Sequence, residues 1–363
     1  MPREITDYLK DTVARGGSDL HLCAWAPACA RVNGALVSLD QETLDPASVR
    51  GLIIDTLSEA QRARLEEDLE LDYALQVEGA GRFRGNVHIA RGNAEAAFRF
   101  ISEAIPELET LGHPPVIHDF CGLRAGLVLV TGVTGSGKST TLASMVKRIS
   151  ETRSGVIITL EDPIEYIFHH SACLIKQREV GGDTRSFPKA LRQSLRQDPD
   201  VIVISELRDL DTISIAITAA ETGHLVLATL HTTDAPQSID RLVDIFPADQ
   251  QPQIITQLAG VLEGIISQRL LPRADGGGRV LATEVLRPSY AIRNCIRQRK
   301  MEQVVGLMEI GSKEGNRTID QSLTELYESG VITREEAFFN ARERALFTEQ
   351  PKAAPKPKSI WNS

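Results

Sequence analysis

Residues Gly132-Val133-Thr134-Gly135-Ser136-Gly137-Lys138-Ser139 place a glycine, four residues and then Gly-Lys-Ser, the spacing of a phosphate-binding loop. No other stretch restricts the fold as much, because such a loop works only between a buried strand and the first turn of a helix. Both flanks comply. Leu127-Val128-Leu129-Val130 is a continuous apolar run, as expected of a strand covered on both faces, and from Thr140 to Ile149 the apolar residues Leu142, Met145, Val146 and Ile149 recur at helical spacing. Glycines at 132, 135 and 137 let backbone N–H groups close on phosphate oxygens without intervening Cβ atoms. Lys138 supplies a point charge toward the β and γ phosphates of a nucleotide, and Ser139 a hydroxyl for Mg²⁺. The helix start, with Thr140, then faces the anion.

Further along, short apolar strands keep ending in polar residues. Val156 to Leu160 leads into Glu161-Asp162-Pro163-Ile164-Glu165, Asp200 to Ile204 into Ser205-Glu206, and His224 to Leu230 into His231-Thr232-Thr233. Ser186 to Arg196 and Asp211 to Thr222 have helical spacing. This is the pattern of an open parallel α/β sheet, whose ligands lie beyond the carboxyl ends of the strands. Glu161 and Glu206 are then the pair that orients water or holds Mg²⁺, directly or through water. His231 stands at the carboxyl end of its strand, where a γ-phosphate sensor belongs, and His224 at the opposite end. Asp162 and Glu165 have two readings, participation in the site or bracing of the turn at Pro163. Ser205 replaces the aspartate that usually holds Mg²⁺ in phosphate-loop enzymes, which leaves that duty to Glu206 or to solvent.

The region before the loop is of different make. Met1 to Ala14 has a helical pattern, Gly16 to Leu22 alternates as a strand, and Asn33-Gly34 marks a hairpin within Ala30 to Leu39. Pro46 to Glu70 is helical and charged, and Leu71 to Val77 reads as a strand before the Gly79-Ala80-Gly81 turn. A small mixed α/β domain over residues 1–105 follows. In Arg82-Phe83-Arg84-Gly85-Asn86-Val87-His88-Ile89 strand alternation puts Arg82, Arg84, Asn86 and His88 on one face, with Arg91 just beyond and Arg99 on the next strand. Such a row is either an ordinary solvated face or a set of cations aimed at an anion. The glycine and prolines of 106–115 predict a linker, 116–346 the second domain, and the Pro- and Lys-rich stretch within 347–363 a disordered tail.

Composition narrows the classes. A chain of 363 residues with 42% hydrophobic and 25% charged residues can build two globular domains. Its net charge of −9 and 5% aromatic content argue against a nucleic-acid-wrapping surface. There is no run of about 18 apolar residues to span a bilayer, and the N-terminus lacks a signal peptide's apolar core, so a cytosolic location is expected. Five cysteines without a Cys-x-x-Cys pair predict reduced thiols rather than a zinc knuckle or disulfide framework.

Taken together, GVTGSGKSTT, LEDPIEY, DPDVIVISELRD and AAETGHLVLATLHTTDA resemble the secretion and type IV pilus ATPase superfamily, most closely the PilT/PilU family of pilus retraction ATPases. The likeness runs from GSDLHL to AIRNCIR and FFNARERA, nearly the whole chain. It implies an N-terminal PAS-like domain, a RecA-like P-loop ATPase domain and a C-terminal helical bundle. It further implies a homohexameric ring that hydrolyses ATP with Mg²⁺ and drives pilus retraction and twitching motility. Such a ring docks peripherally on the cytoplasmic face of the inner membrane, against the pilus platform protein, and can work with a paralogous retraction ATPase. The resemblance turns Arg82, Arg84, Arg91 and Arg99 into candidate triggers that reach the nucleotide. The Walker B stretch ends at Glu206, with Arg208 just beyond it in the same motif, and His224 falls in the histidine stretch Thr218 to His231. One departure is Ser205-Glu206-Leu207-Arg208-Asp209, where the family typically reads Gly-Glu-Met-Arg-Asp. Ala291-Ile292-Arg293-Asn294-Cys295 matches a family motif linked with retraction and is also an amphipathic helix.

Three alternatives compete with a retraction motor. An assembly or type II secretion motor usually carries a longer N-terminal region and a paired-Cys metal insert, a nucleic-acid-translocating ring needs more basic surface, and an ATP-binding paralogue would hydrolyse poorly.

Overall fold

A computed structural model describes residues 3–32, 34–101 and 104–348. It divides into two compact units, one reaching Ile105 and including Pro163–Phe168, the other formed by Pro106–Asp162 and the chain from His169 onward. Asn33 of the expected hairpin turn, and the expected tail beyond Thr348, lie outside the described residues.

In the first unit α1 (Ile5–Ala14) is followed by β1 (Gly17–Leu22), β2 (Cys29–Val32) and β3 (Ala35–Ser38). The helical stretch after Pro46 is two helices, α2 (Pro46–Ile54) and α3 (Glu59–Asp68). The break comes at Ser58, whose hydroxyl accepts from Gln61 N while the Gln61 side chain accepts from Ser58 N, a reciprocal cap that starts a new helix. Then come β4 (Glu70–Val77), β5 (Gly81–Ala90) and β6 (Asn93–Ile101). The six strands pair in the order β3-β2-β1-β6-β5-β4, antiparallel throughout. Phe83, Val87 and Phe98 point into a core with Leu9, Leu20 and Ile53, all fully buried.

The second unit opens with the segment expected to be a linker, and it is packed. Pro106 O accepts from Ser144 Oγ at 2.7 Å, Glu107 pairs with Lys147 at 2.5 Å, and Leu108 is buried. Its prolines and Gly112 (φ +80°) stop regular structure without preventing an apolar anchor from docking. Beyond α4 (Val116–Cys121) follow β7 (Gly126–Thr131), α5 (Lys138–Thr152), β8 (Gly155–Glu161), β9 (Cys173–Glu179), α6 (Phe187–Ser194) and β10 (Val201–Ile204). Then come α7 (Leu210–Glu221), β11 (Leu225–Leu230), α8 (Ala235–Asp244), α9 (Gln251–Val261), β12 (Leu262–Pro272) and β13 (Arg279–Leu286). The sheet order is β13-β12-β7-β11-β10-β8-β9, parallel except for β13. Every residue of β7, β10 and β11 is buried, as central strands of a covered parallel sheet require. Helices α10 (Tyr290–Arg297) and α11 (Val304–Ile310) join the main core, whereas α12 (Ile319–Glu328) and α13 (Arg334–Asn340) build a smaller one against Leu271 and Ala282. Among the described residues no helix is long and apolar enough to cross a membrane.

Candidate active site

Strand β7 ends at Thr131, and the loop that follows takes backbone angles suited to glycine: φ is +145° at Gly132, +80° at Gly135 and +90° at Gly137. A Cβ on Gly132 would fall 2.5 Å from Ser136 Oγ and 2.6 Å from Gln268 O, so the loop tolerates no side chain there. Around Gly135 a Cβ would meet nothing within 4 Å, which leaves that side of the loop open. Gly137 is the N-cap of α5 and offers it no side-chain cap. Ser136 Oγ is buried without a hydrogen-bond partner among the described residues. An uncapped helix start, a glycine cradle and an adjoining ammonium fit the phosphates of a nucleotide.

Lys138, at the first position of α5, is 8% exposed. Its Nζ donates to Gly132 O at 2.8 Å and Val133 O at 3.2 Å, and lies 3.4 Å from His231 Nδ1. His231 Nε2 in turn is 3.1 Å from Glu206 Oε2, which also accepts from Arg208 Nη2 at 2.7 Å. An ammonium can only donate, so His231 Nδ1 is the acceptor and the ring proton sits on Nε2, aimed at Glu206. Three adjacent parallel strands, β7, β11 and β10, thus deliver the loop, His231 and Glu206 to one edge. Partial burial pushes the Glu206 carboxyl upward, but the hydrogen bonds from Arg208 and His231, with the charge of Arg208, more than offset it and hold it below the usual carboxylate range.

The remaining expected residues spread around this chain. Ser139 and Thr140 occupy the first turn of α5. Glu161, at the end of β8, accepts from Thr159 Oγ1 at 2.6 Å and from Gln177 Nε2 of β9 at 3.0 Å. Asp162 is exposed, and its charge acts on Arg208. Glu165 lies in Pro163–Phe168, the stretch grouped with the first unit. His224 sits at the amino end of β11, where Nδ1 is 3.0 Å from Ala219 O and 3.2 Å from Thr222 Oγ1; it closes the end of α7 and takes no part in the cluster. Three contacts went unforeseen. Gln268 Nε2 on β12 approaches Ser136 O at 3.4 Å, Arg279 Nη1 on β13 approaches Gly135 O at 3.5 Å, and His113 Nε2 is 2.9 Å from Thr141 Oγ1 on α5. Their partners lie 28 to 144 residues away, beyond the reach of local spacing.

On the first unit's sheet, Arg84 stands directly opposite Arg99, and Arg99 opposite Asp19. Facing like charges destabilise a sheet unless compensated. Here Asp19 Oδ1 accepts from Arg99 Nε at 2.8 Å, and Asp72 lies 3.6 Å from Arg84. Asp19 is nearly buried, which raises its pKa, but Ser18 and Arg99 outweigh that and lower it overall. Arg99 keeps 71% of its side chain exposed although tethered at one nitrogen. Arg91 occupies the β5–β6 turn at φ +49°, and Arg82 lies opposite Gln76 and Ile101.

The family described as "Type II/IV secretion system protein" matches residues 1–346. A Pseudomonas aeruginosa protein named "Type IV pilus retractation ATPase PilT" is 44% identical over 346 residues, 95% of this chain and 99% of its own. From the same organism "Type IV pilus ATPase PilU" is 39% identical over 338 residues, 93% of this chain and 88% of its own. A solved structure, "Crystal Structure of the Pilus Retraction Motor PilT and Bound ADP", superposes with a TM-score of 0.90 at 48% identity, covering 95% of this chain and 99% of that one. The second unit has the RecA-like arrangement of a P-loop ATPase, the smaller first unit is α/β, and the chain belongs to the type II/IV secretion system protein family.

Proposed function

We propose that this protein is an ATP-hydrolysing motor that drives type IV pilus retraction. The carrying observation is the continuous chain Lys138–His231–Glu206–Arg208 at the phosphate loop, in a protein related over almost its full length to a retraction ATPase. Lys138 leaves the carbonyls of Gly132 and Val133 for the β and γ phosphates, and that movement releases or draws His231 with it. Glu206, held ionised, is a weak base, and its task is to accept a hydrogen bond from the attacking water and align it with the γ-phosphorus. The bond to the β-phosphate oxygen then breaks. Ser139 and Glu206 are the residues that would hold Mg²⁺, and the ion would neutralise charge on the phosphates. Glu161 supports the same edge.

In this reading Arg82, Arg84, Arg91 and Arg99 supply cations to the γ-phosphate during the cycle, coupling hydrolysis to movement of the first unit. The working form is a homohexamer at the cytoplasmic face of the inner membrane, bound to the pilus platform protein. Replacing Lys138 tests the site itself. Lys138→Ala removes the loop's only positive side chain, and the expected result is loss of nucleotide binding and turnover. Full turnover in that variant would overturn the proposal.

A further inference from the structure

We infer that Gln268 is a positioning residue for the phosphate loop, holding it from beneath and coupling its shape to nucleotide binding; this rests on the ATPase reading above. Gln268 is 2% exposed on β12, the strand that pairs with β7 on the side away from β11. It meets the loop in three places. Its backbone oxygen stands 2.6 Å from where a Gly132 Cβ would be, its Nε2 lies 3.4 Å from Ser136 O, and the same Nε2 is 3.7 Å from a Gly137 Cβ position.

Two features mark this as more than packing. Gln268 Oε1 and Ser136 Oγ are both buried with no hydrogen-bond partner among the described residues. A buried amide oxygen and hydroxyl left unmet are costly, and an apolar residue of Gln268's volume would fill the space without that cost. An acceptor and a donor retained unmet at one loop gain partners when the loop changes shape. The bond from Nε2 is also long for an N–H···O contact and can shorten. When the Lys138 ammonium leaves the Gly132 and Val133 carbonyls for phosphate, the loop loses two internal hydrogen bonds, and the Gln268 carboxamide remains against it at Ser136 O.

Gln268→Met keeps length and volume but removes both polar atoms. The parent, Gln268→Met, Gln268→Asn, Ser136→Ala and the Gln268→Met/Ser136→Ala double variant are compared for binding of a fluorescent ADP and for KM and kcat, with Lys138→Ala as control. The proposal expects Gln268→Met to keep its nucleotide-free melting temperature while binding ADP about tenfold more weakly, the size of one lost hydrogen bond. It expects the double variant to be no weaker than the worse single one. Parental ADP affinity in Gln268→Met, or equal loss of melting temperature with and without ADP, would reduce Gln268 to packing and overturn the proposal. Should Gln268→Met fail to fold, Gln268→Asn, which retains the amide but cannot reach Ser136 O, must show the same loss of affinity. Undiminished ADP binding by Lys138→Ala would instead indict the ATPase reading.

Discussion

His113 offers a quantitative test of how the segment before α4 is anchored. Its ring packs half-buried against α5, with Nε2 2.9 Å from Thr141 Oγ1 and the buried Nδ1 lacking a partner among the described residues. Burial, with a smaller contribution from His118, pushes its pKa down from 6.5 to about 4. The unfolded chain therefore binds a proton that the folded one refuses between these values. Stability falls as pH drops from above 6.5 toward 4, and the loss is complete below the folded value. Linkage with these two values gives about 1.4 kcal/mol less stability at pH 5.5 than at pH 8. His113→Leu removes the titrating group while forfeiting one hydrogen bond, about 1 kcal/mol independent of pH. Urea unfolding of the second unit, followed by circular dichroism for both proteins at both pH values, isolates the effect as a double difference. The parent should lose about 1.4 kcal/mol more than the variant between pH 8 and pH 5.5. Equal losses would refute the assignment of an imidazole held neutral against α5.

Two further perturbations probe charge placement. Glu284 on β13 is 1% exposed; its Oε1 accepts from Ala235 N at the start of α8 at 2.8 Å, and Oε2 lies 3.4 Å from Arg342. Arg342→Met leaves that carboxylate without its cation and should cost about 2 kcal/mol in thermal or urea unfolding, with Glu284→Gln recovering most of it; an unchanged melting temperature would contradict the pairing. In the first unit Arg99→Ala strands the nearly buried Asp19, so it should lower stability by about 1 kcal/mol as well as ATP turnover. Adding Asp19→Asn should restore the stability and not the turnover, and restoration of both would deny Arg99 a role toward nucleotide.

Much of the site could be read from residues in order. The phosphate loop, the three strands that reach its edge and the helix after it occupy contiguous stretches whose apolar runs leave little choice. His231 and Glu206 were placed by the rule that parallel strands present their carboxyl ends together, and they meet at 3.1 Å. What escaped has physical reasons. Strand β12 begins at Leu262 directly after α9 ends at Val261, with no connecting residue between them and Gly260 still inside the helix, so no turn segment separates the two. Strand β9 is an edge carrying Lys176, Arg178 and Glu179, so its apolar signal is thin. The segment 106–115 has a linker's composition, yet Leu108 and His113 are side chains that pack. Asp19 and Arg99 are 80 residues apart and become neighbours only when β1 pairs with β6. The Ala291–Cys295 motif forms part of α10, in which Ile292 and Cys295 are buried and Arg293 donates to Ala259 O and Gly260 O at the end of α9.

The central role here is that of Glu206, doing chemistry within a ring. ATP hydrolysis by the purified protein, measured across a size-exclusion profile beside Glu206→Gln, tests this directly. The expected result is turnover confined to a hexamer-sized peak, lost in the variant while ATP binding persists. Undiminished hydrolysis by Glu206→Gln, or parental ATP binding without turnover in any fraction, would contradict it.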